Sequence, residues 1–91
     1  MQKQIECKIT GRVQLVMFRD FAQRKARALK LVGTVQNMPD GSVRVGAQGE
    51  ESVLQKYIGH LKKGSVLSRV DGVEVVWASP ASVFTDFQIL Y

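Results

Sequence analysis

Residues 5–10 alternate apolar and polar side chains, which is the period of a β-strand that buries one face. The next periodic segment, residues 20–31, is rich in good helix formers and predicts an α-helix. Asp20 near its start suits the positive end of the helix dipole. The apolar face of this helix contains Phe18, Ala22, Ala26 and Leu29. The chain is therefore predicted to open with a strand followed by a helix.

A β-hairpin is predicted next. Residues 33–37 and 42–47 are two strand-like runs, and residues 38–41 between them have the sequence Met-Pro-Asp-Gly. Proline, aspartate and glycine in this order are typical of a tight turn. The two runs are therefore expected to pair through this turn.

The second half of the chain predicts a helix and two further strands. Residues 51–62 have a clean apolar stripe at helical spacing, and Gly64 is well placed to end the helix. The stripe consists of Leu54, Tyr57, Ile58 and Leu61. Residues 73–77 and 84–91 then alternate as strands do, so a last short strand is expected to close the chain.

The predicted order is β-α-β-β-α-β with one added C-terminal strand. This order indicates an α+β fold of the ferredoxin-like, split β-α-β kind, an antiparallel sheet with both helices on one face. Residues 1–91 are expected to form a single domain with one core. The predicted core residues are Ile5, Cys7, Ile9, Phe18, Ala22, Ala26, Leu29, Val35, Val43, Val45, Leu54, Ile58, Leu61, Val73, Val75 and Ile89.

Charge and composition narrow the functional classes only partly. The formal net charge is +5, which suits an anionic partner, but the basic residues are spread along the chain as on solvated helix faces. No apolar run is long enough to span a bilayer, and the N-terminus has no secretory h-region. A cytoplasmic, monomeric protein without a membrane partner is the default expectation.

The single cysteine and the single histidine do not predict a reactive site. Cys7 shares a strand face with Ile5 and Ile9, so a buried core residue is expected. His60 lies off the apolar stripe of its helix beside two lysines, which is typical of a solvated histidine. Without a cysteine–histidine cluster, neither a metal site nor a cofactor is predicted.

Two polar residues at element ends are the candidates for chemistry. Arg19 lies where the first helix begins, and Asn37 lies where the second strand meets its turn. In a split β-α-β sheet the first helix connects two strands that run in the same direction, so both strands end at the same edge of the sheet. Arginine can pair with two oxygens of a phosphate, and an asparagine amide can hold a water without taking its proton.

The residues around these candidates resemble a known family. Residues 11–19 have the sequence GRVQLVMFR, which is similar to the acylphosphatase signature G-x-V-Q-G-V-x-F-R. Val-Gln-Asn at 35–37 followed by Asp-Gly-Ser-Val at 40–43 resembles the V-x-N-x-x-D-G-x-V block of that family. Gln-Gly-Glu at 48–50 and Phe-Gln-Ile at 87–89 also match in kind and spacing. The resemblance covers essentially the whole chain.

The resemblance implies hydrolysis of the carboxyl–phosphate bond of acyl phosphates to carboxylate and inorganic phosphate, without a metal. It also implies that Arg19 binds the phosphate and that Asn37 positions the attacking water. The loop amides would cradle the phosphoryl oxygens; these loop residues are Val13, Gln14, Leu15, Val16, Met17 and Phe18. A small-molecule acyl phosphate is thus the expected partner, and no nucleic acid is expected.

Three residues depart from the family pattern. Leu15 replaces the second loop glycine, Lys30 stands where a glycine is common after the helix, and Thr34 replaces an aromatic residue. If the family glycine has a positive φ, leucine there costs about 1–2 kcal/mol or forces a different loop path. Leu15 either weakens the activity or is accommodated with its side chain towards solvent.

Two other functions stay open at this point. Leu15 favours a non-catalytic ferredoxin-like module that binds anions or partner proteins. Fold class and positive charge would also fit an RNA-binding module. However, the third strand has no aromatic residue on which a base could stack, so the RNA-binding hypothesis is the weaker one.

Overall fold

A computed structural model describes residues 2–14 and 17–91 and contains a five-stranded sheet and two helices. The predicted α+β, ferredoxin-like fold is confirmed. The two helices contact each other and pack on the sheet. In chain order the elements are β1 (Gln2–Arg12), α1 (Phe18–Ala28), β2 (Val32–Asn37), β3 (Val43–Glu50), α2 (Glu51–Lys63), β4 (Arg69–Ala78) and β5 (Phe87–Leu90). Within the described part of the chain, no helix is long and apolar enough to cross a membrane.

The strand order in the sheet is β4-β1-β3-β2-β5. β1 pairs antiparallel with β3 and β4, and β2 pairs antiparallel with β3, as the split β-α-β arrangement predicts. The added strand β5 departs from the predicted antiparallel sheet, because it pairs parallel with β2. β4 and β2 run in opposite directions. The chain reverses once between β4 and β5, so β5 runs parallel to β2. The complete sheet is therefore mixed.

The core lies between the helices and the inner face of the sheet. Of the predicted core residues, Leu29, Val73, Val75 and Ile89 are only partly buried, and the others are buried. The predicted core list omitted six apolar residues that are buried in the described part of the chain, although Tyr57 belongs to the predicted helical stripe. These six are Val13, Phe21, Leu31, Ala47, Tyr57 and Phe87. Tyr57 is fully buried because its hydroxyl donates a hydrogen bond to the carbonyl oxygen of Ala22 at 2.9 Å. Its ring also meets the Phe87 ring edge-on, with the centroids 6.0 Å apart.

Cys7 is a core residue, as predicted. It is 2% exposed on the inner face of β1. Burial, and secondarily the charge of Glu6, raises the pKa of its thiol from 9.0 to about 12. The nucleophilic thiolate is therefore not formed at neutral pH, and this thiol is inert.

α1 ends at Ala28, earlier than the predicted residue 31, and the reason is a turn in which Lys30 has φ 59°. The Leu31 amide donates to the Ala26 carbonyl at 2.9 Å, and the Lys30 amide donates to the Arg27 carbonyl at 3.0 Å. These two hydrogen bonds form a Schellman motif, which satisfies carbonyl groups at the helix end. The motif places Lys30 in the left-handed region, where glycine is favoured.

We expect Lys30→Gly to raise the free energy of unfolding by about 0.5–1 kcal/mol. Glycine removes the steric cost of the positive φ, and its greater freedom in the unfolded chain offsets only part of that gain. Urea unfolding monitored by circular dichroism measures the difference. Lys30→Ala is the matched control, because alanine removes the same charge and keeps the strain. An equal gain in both variants would contradict this explanation.

Candidate active site

The loop that leads into the site begins at a β-bulge. The pairing of β1 with β4 shifts register between Thr10 and Gly11. Gly11 has φ 125°, and a Cβ atom at this position would collide with the carbonyl oxygen of Arg69. Only glycine fits here without moving β4, so the first residue of the 11–19 motif has a structural reason. The extra residue of the bulge is Asp71 on β4, and beyond it Gly11 and Arg12 still pair with β4 before the loop begins.

The structure brings Arg19 and Asn37 to one small cavity. β1 and β2 run in the same direction through their shared partner β3, so both strands end at the same rim of the sheet. The cavity at this rim has a volume of about 250 Å³. Its lining residues are Val13, Met17, Phe18, Arg19 and Asn37. Five of the eight site residues predicted from the sequence thus surround a single space.

Arg19 is the second residue of α1 and is half-buried. Its Nη1 donates to the carbonyl oxygen of Leu90 at 3.3 Å, and its Cζ lies 4.8 Å from the centroid of the Tyr91 ring. A guanidinium has five N–H groups, so this contact leaves most of its donors for an anion. The hydrogen bond and the cation–π contact together hold the side chain in place.

The contacts of Arg19 with Leu90 and Tyr91 were missed by sequence reasoning. No spacing rule connects residues so far apart in the chain. The parallel pairing of β5 with β2 brings the C-terminal residues beside the helix start. The alternation of residues 84–91 predicted the last strand, but it did not indicate that this strand pairs with β2.

Asn37 is the last residue of β2, and its side-chain oxygen is an unsatisfied group. Oδ1 is buried and has no hydrogen-bond partner among the described residues. A buried acceptor without a partner costs free energy, so such groups usually have a ligand, an ordered water or a catalytic role. Because Asn37 also lines the cavity, its side-chain amide is suited to hold a water there.

The turn after Asn37 is held by an ionised carboxylate. Asp40 accepts hydrogen bonds from the Ser42 hydroxyl at 2.6 Å and from the Ser42 amide at 2.9 Å. These two bonds, followed by the contact with Lys8, lower the pKa of Asp40 from 3.8 to about 2. The carboxylate is therefore ionised throughout the neutral range.

Gln14 ties the loop after β1 to this turn. Its Nε2 donates to the carbonyl oxygen of Met38 at 2.8 Å and to that of Ser42 at 2.7 Å. Both acceptors belong to the segment that follows Asn37. Gln14 thus connects the predicted phosphate-binding loop to the strand end that carries the predicted water-holding residue.

We expect Gln14→Ala to lower the free energy of unfolding by about 1–3 kcal/mol, because two partly buried hydrogen bonds are lost. The turnover number should fall several-fold as well, since the loop and Asn37 are no longer tied together. Urea unfolding and steady-state kinetics measure the two effects. Gln23→Ala is the control, because Gln23 makes one side-chain bond of the same kind to Phe87, at 3.0 Å, away from this cavity. A matching fall in turnover in the control would contradict a specific role for Gln14.

The remaining loop positions are only partly described. Leu15 and Val16, predicted as phosphate-binding residues, lie outside the described residues. Met17 precedes α1 with φ 58° and is 72% exposed, while Phe18 is buried and opens the helix. In residues 2–14 and 17–91 no three histidine, cysteine, aspartate or glutamate side chains are grouped so that they could hold a metal ion.

Comparison with known proteins decides the family. A family model of acylphosphatases matches residues 5–89, which is nearly the whole chain. The chain belongs to the acylphosphatase family. An acylphosphatase of Methanococcoides burtonii is 46% identical over 84 residues, which cover 92% of this chain and 88% of the relative. An acylphosphatase of Thermus thermophilus is 47% identical over 75 residues, covering 82% of this chain and 85% of the relative.

A solved acylphosphatase has the same fold. The crystal structure of the acylphosphatase from Bacillus subtilis superimposes with a TM-score of 0.95 at 37% identity. The match covers 98% of this chain and 99% of that structure. The resemblance of the 11–19 and 35–43 segments to acylphosphatases therefore predicted the family correctly. The individual roles of Arg19 and Asn37 remain predictions.

Proposed function

We propose that this chain hydrolyses acyl phosphates to a carboxylate and inorganic phosphate. Arg19 binds the phosphoryl group together with the backbone amides of residues 13–18, and Asn37 positions the attacking water. The observation that carries this proposal is the cavity lined by both Arg19 and Asn37; among the described residues, Asn37 Oδ1 is also buried without a hydrogen-bond partner. Membership of the acylphosphatase family supports the same reaction.

The chemistry of the substrate fits the composition of the cavity. None of the five described residues that line it is acidic or a histidine. A carboxylate is a good leaving group, so cleavage of an acyl phosphate does not need a strong general acid. Placing a water in line with the bond and stabilising charge on the phosphoryl oxygens are then the main tasks. A guanidinium and a neutral amide perform these two tasks.

Hydrolysis of benzoyl phosphate by the wild-type protein tests the proposal. The loss of the substrate's ultraviolet absorbance measures the rate, and inorganic phosphate is added as a competitor. We expect enzyme-dependent hydrolysis in the presence of a chelator, with competitive inhibition by phosphate. Absence of both hydrolysis and phosphate binding would overturn the proposal in favour of a non-catalytic binding module.

The second candidate function depends on Leu15, because family members usually have glycine there. We expect Leu15→Gly to raise kcat/KM for benzoyl phosphate or the affinity for phosphate, by up to about tenfold, if the leucine strains the loop by about 1–2 kcal/mol. Steady-state kinetics and phosphate inhibition measure both quantities. Unchanged values would show that the loop accommodates leucine. Activity that appears only in Leu15→Gly would identify the natural chain as a non-catalytic binder.

A further inference from the structure

A second and larger cavity lies next to the proposed catalytic site. Its volume is about 490 Å³, within the range of small-molecule binding sites. It lies between α1, the C-terminal end of α2 and the segment that follows α2. Its apolar lining comes from Met17, Phe21, Val66 and Leu67. Val66 is 99% exposed and Leu67 is 70% exposed, so these side chains are not part of the core.

Met17 connects the two cavities, because it lines both of them. Its side chain is largely exposed at the point where the loop enters α1. The two cavities therefore adjoin at Met17, where a group attached to a phosphoryl held by Arg19 could extend from one to the other. In an acyl phosphate the attached group is the acyl chain.

The polar lining of the larger cavity is positively charged. Lys25, His60 and Lys63 line it, and none of the three has an ion-pair partner in the part of the chain that the structure describes. Asp20 is the one acidic residue among the described residues of the lining, and it pairs with Arg24 at 2.8 Å. The two lysines thus offer uncompensated charge beside an apolar surface, which favours an anionic group there.

We infer that the larger cavity binds the acyl group of the substrate and selects acyl phosphates with an apolar segment beside the carbonyl and an anionic group beyond it. This inference rests on the proposed function, because it assigns the acyl side of the same substrate. The apolar segment packs on Val66 and Leu67, and the distal anion pairs with Lys25 and Lys63. Acetyl phosphate is too short to use either feature.

Three acyl phosphates test the inference: 4-carboxybenzoyl phosphate, its neutral isostere 4-carbamoylbenzoyl phosphate, and acetyl phosphate. We expect the double variant Lys25→Gln/Lys63→Gln to lower kcat/KM for the carboxylate substrate about three- to tenfold, since exposed ion pairs are individually weak. For the other two substrates, kcat/KM should change less than about twofold. Comparing variant with wild type on one substrate cancels differences in intrinsic reactivity.

Lys56→Gln/Lys62→Gln is the matched control, because it also removes two positive charges, here both from α2, at positions that do not line the cavity. It should leave all three substrates unchanged. A second variant, Val66→Ser/Leu67→Ser, should raise KM for both benzoyl substrates and not for acetyl phosphate. The exposure of these two residues means that the fold does not depend on them.

The outcomes separate this inference from the proposed function. Suppose that the wild-type protein hydrolyses acetyl phosphate. If Lys25→Gln/Lys63→Gln then lowers kcat/KM equally for all three substrates, or behaves like its control variant, the assignment of the larger cavity to the acyl group is wrong and the proposed reaction stands. If neither Lys25→Gln/Lys63→Gln nor Val66→Ser/Leu67→Ser changes the kinetic constants for any of the three substrates, the inference is also overturned. If the wild-type protein hydrolyses none of the three, the proposed function fails and the inference fails with it.

Discussion

Arg19→Gln is expected to lower kcat/KM for benzoyl phosphate by at least about 10³-fold. Among the described residues that line the small cavity, this substitution removes the only cationic side chain, where charge on the phosphoryl oxygens must be stabilised. Binding of inorganic phosphate should weaken in parallel, because the same guanidinium holds the product. Steady-state kinetics and product inhibition by phosphate measure the two effects.

Two further variants show whether the loss is specific. Arg27→Gln removes the same charge from the same helix, where Arg27 pairs with Asp86 at 3.0 Å on the exposed surface, and should keep near-wild-type activity. Arg19→Lys keeps the charge without the planar fork and should recover only part of the activity. The Arg19→Gln protein should stay folded, with a free energy of unfolding lower by about 1 kcal/mol through loss of the bond to Leu90. Near-wild-type turnover in Arg19→Gln would disprove the mechanism.

Asn37→Ala is expected to lower kcat at least about 10²-fold while the affinity for inorganic phosphate stays nearly the same. The amide of Asn37 is proposed to hold the water and not the phosphoryl group, so the chemical step is lost and the binding step is kept. Removing a buried oxygen without a partner should cost little stability. Kinetics, phosphate inhibition and urea unfolding of the same preparation test all three expectations.

Gln36→Ala is the control for Asn37→Ala. Gln36 precedes Asn37 on β2, so its side chain points to the opposite face of the sheet, and it does not line the cavity. Its replacement should leave kcat unchanged. If Asn37→Ala weakened phosphate binding as much as turnover, Asn37 would be a phosphate ligand and the water would need another holder. The sharpest test of the two roles is therefore to compare phosphate affinity in the two variants, which should fall in Arg19→Gln and stay nearly the same in Asn37→Ala.

Much of the fold follows from local patterns. The alternation around Cys7 and the helical stripe around Leu54 predicted strand and helix because one buried face leaves a period in the sequence. The Pro-Asp-Gly turn placed the hairpin, and the resemblance of residues 11–19 predicted the family. The predicted core list was incomplete where burial depends on a distant partner. Tyr57 is buried because Ala22 accepts its hydroxyl, and Phe87 is buried because it packs against Tyr57.

The sequence by itself determined which residue types are available for the chemistry: a loop of acylphosphatase type, an arginine at the helix start that follows it, and an asparagine before a turn. Only the tertiary structure decided how they meet. The strand order places the ends of β1 and β2 at one rim, β5 brings Tyr91 over Arg19, and Met17 joins the small cavity to a basic, apolar one. Local periodicity records which face of an element is buried, but the pairing of distant strands depends on the packing of the whole chain.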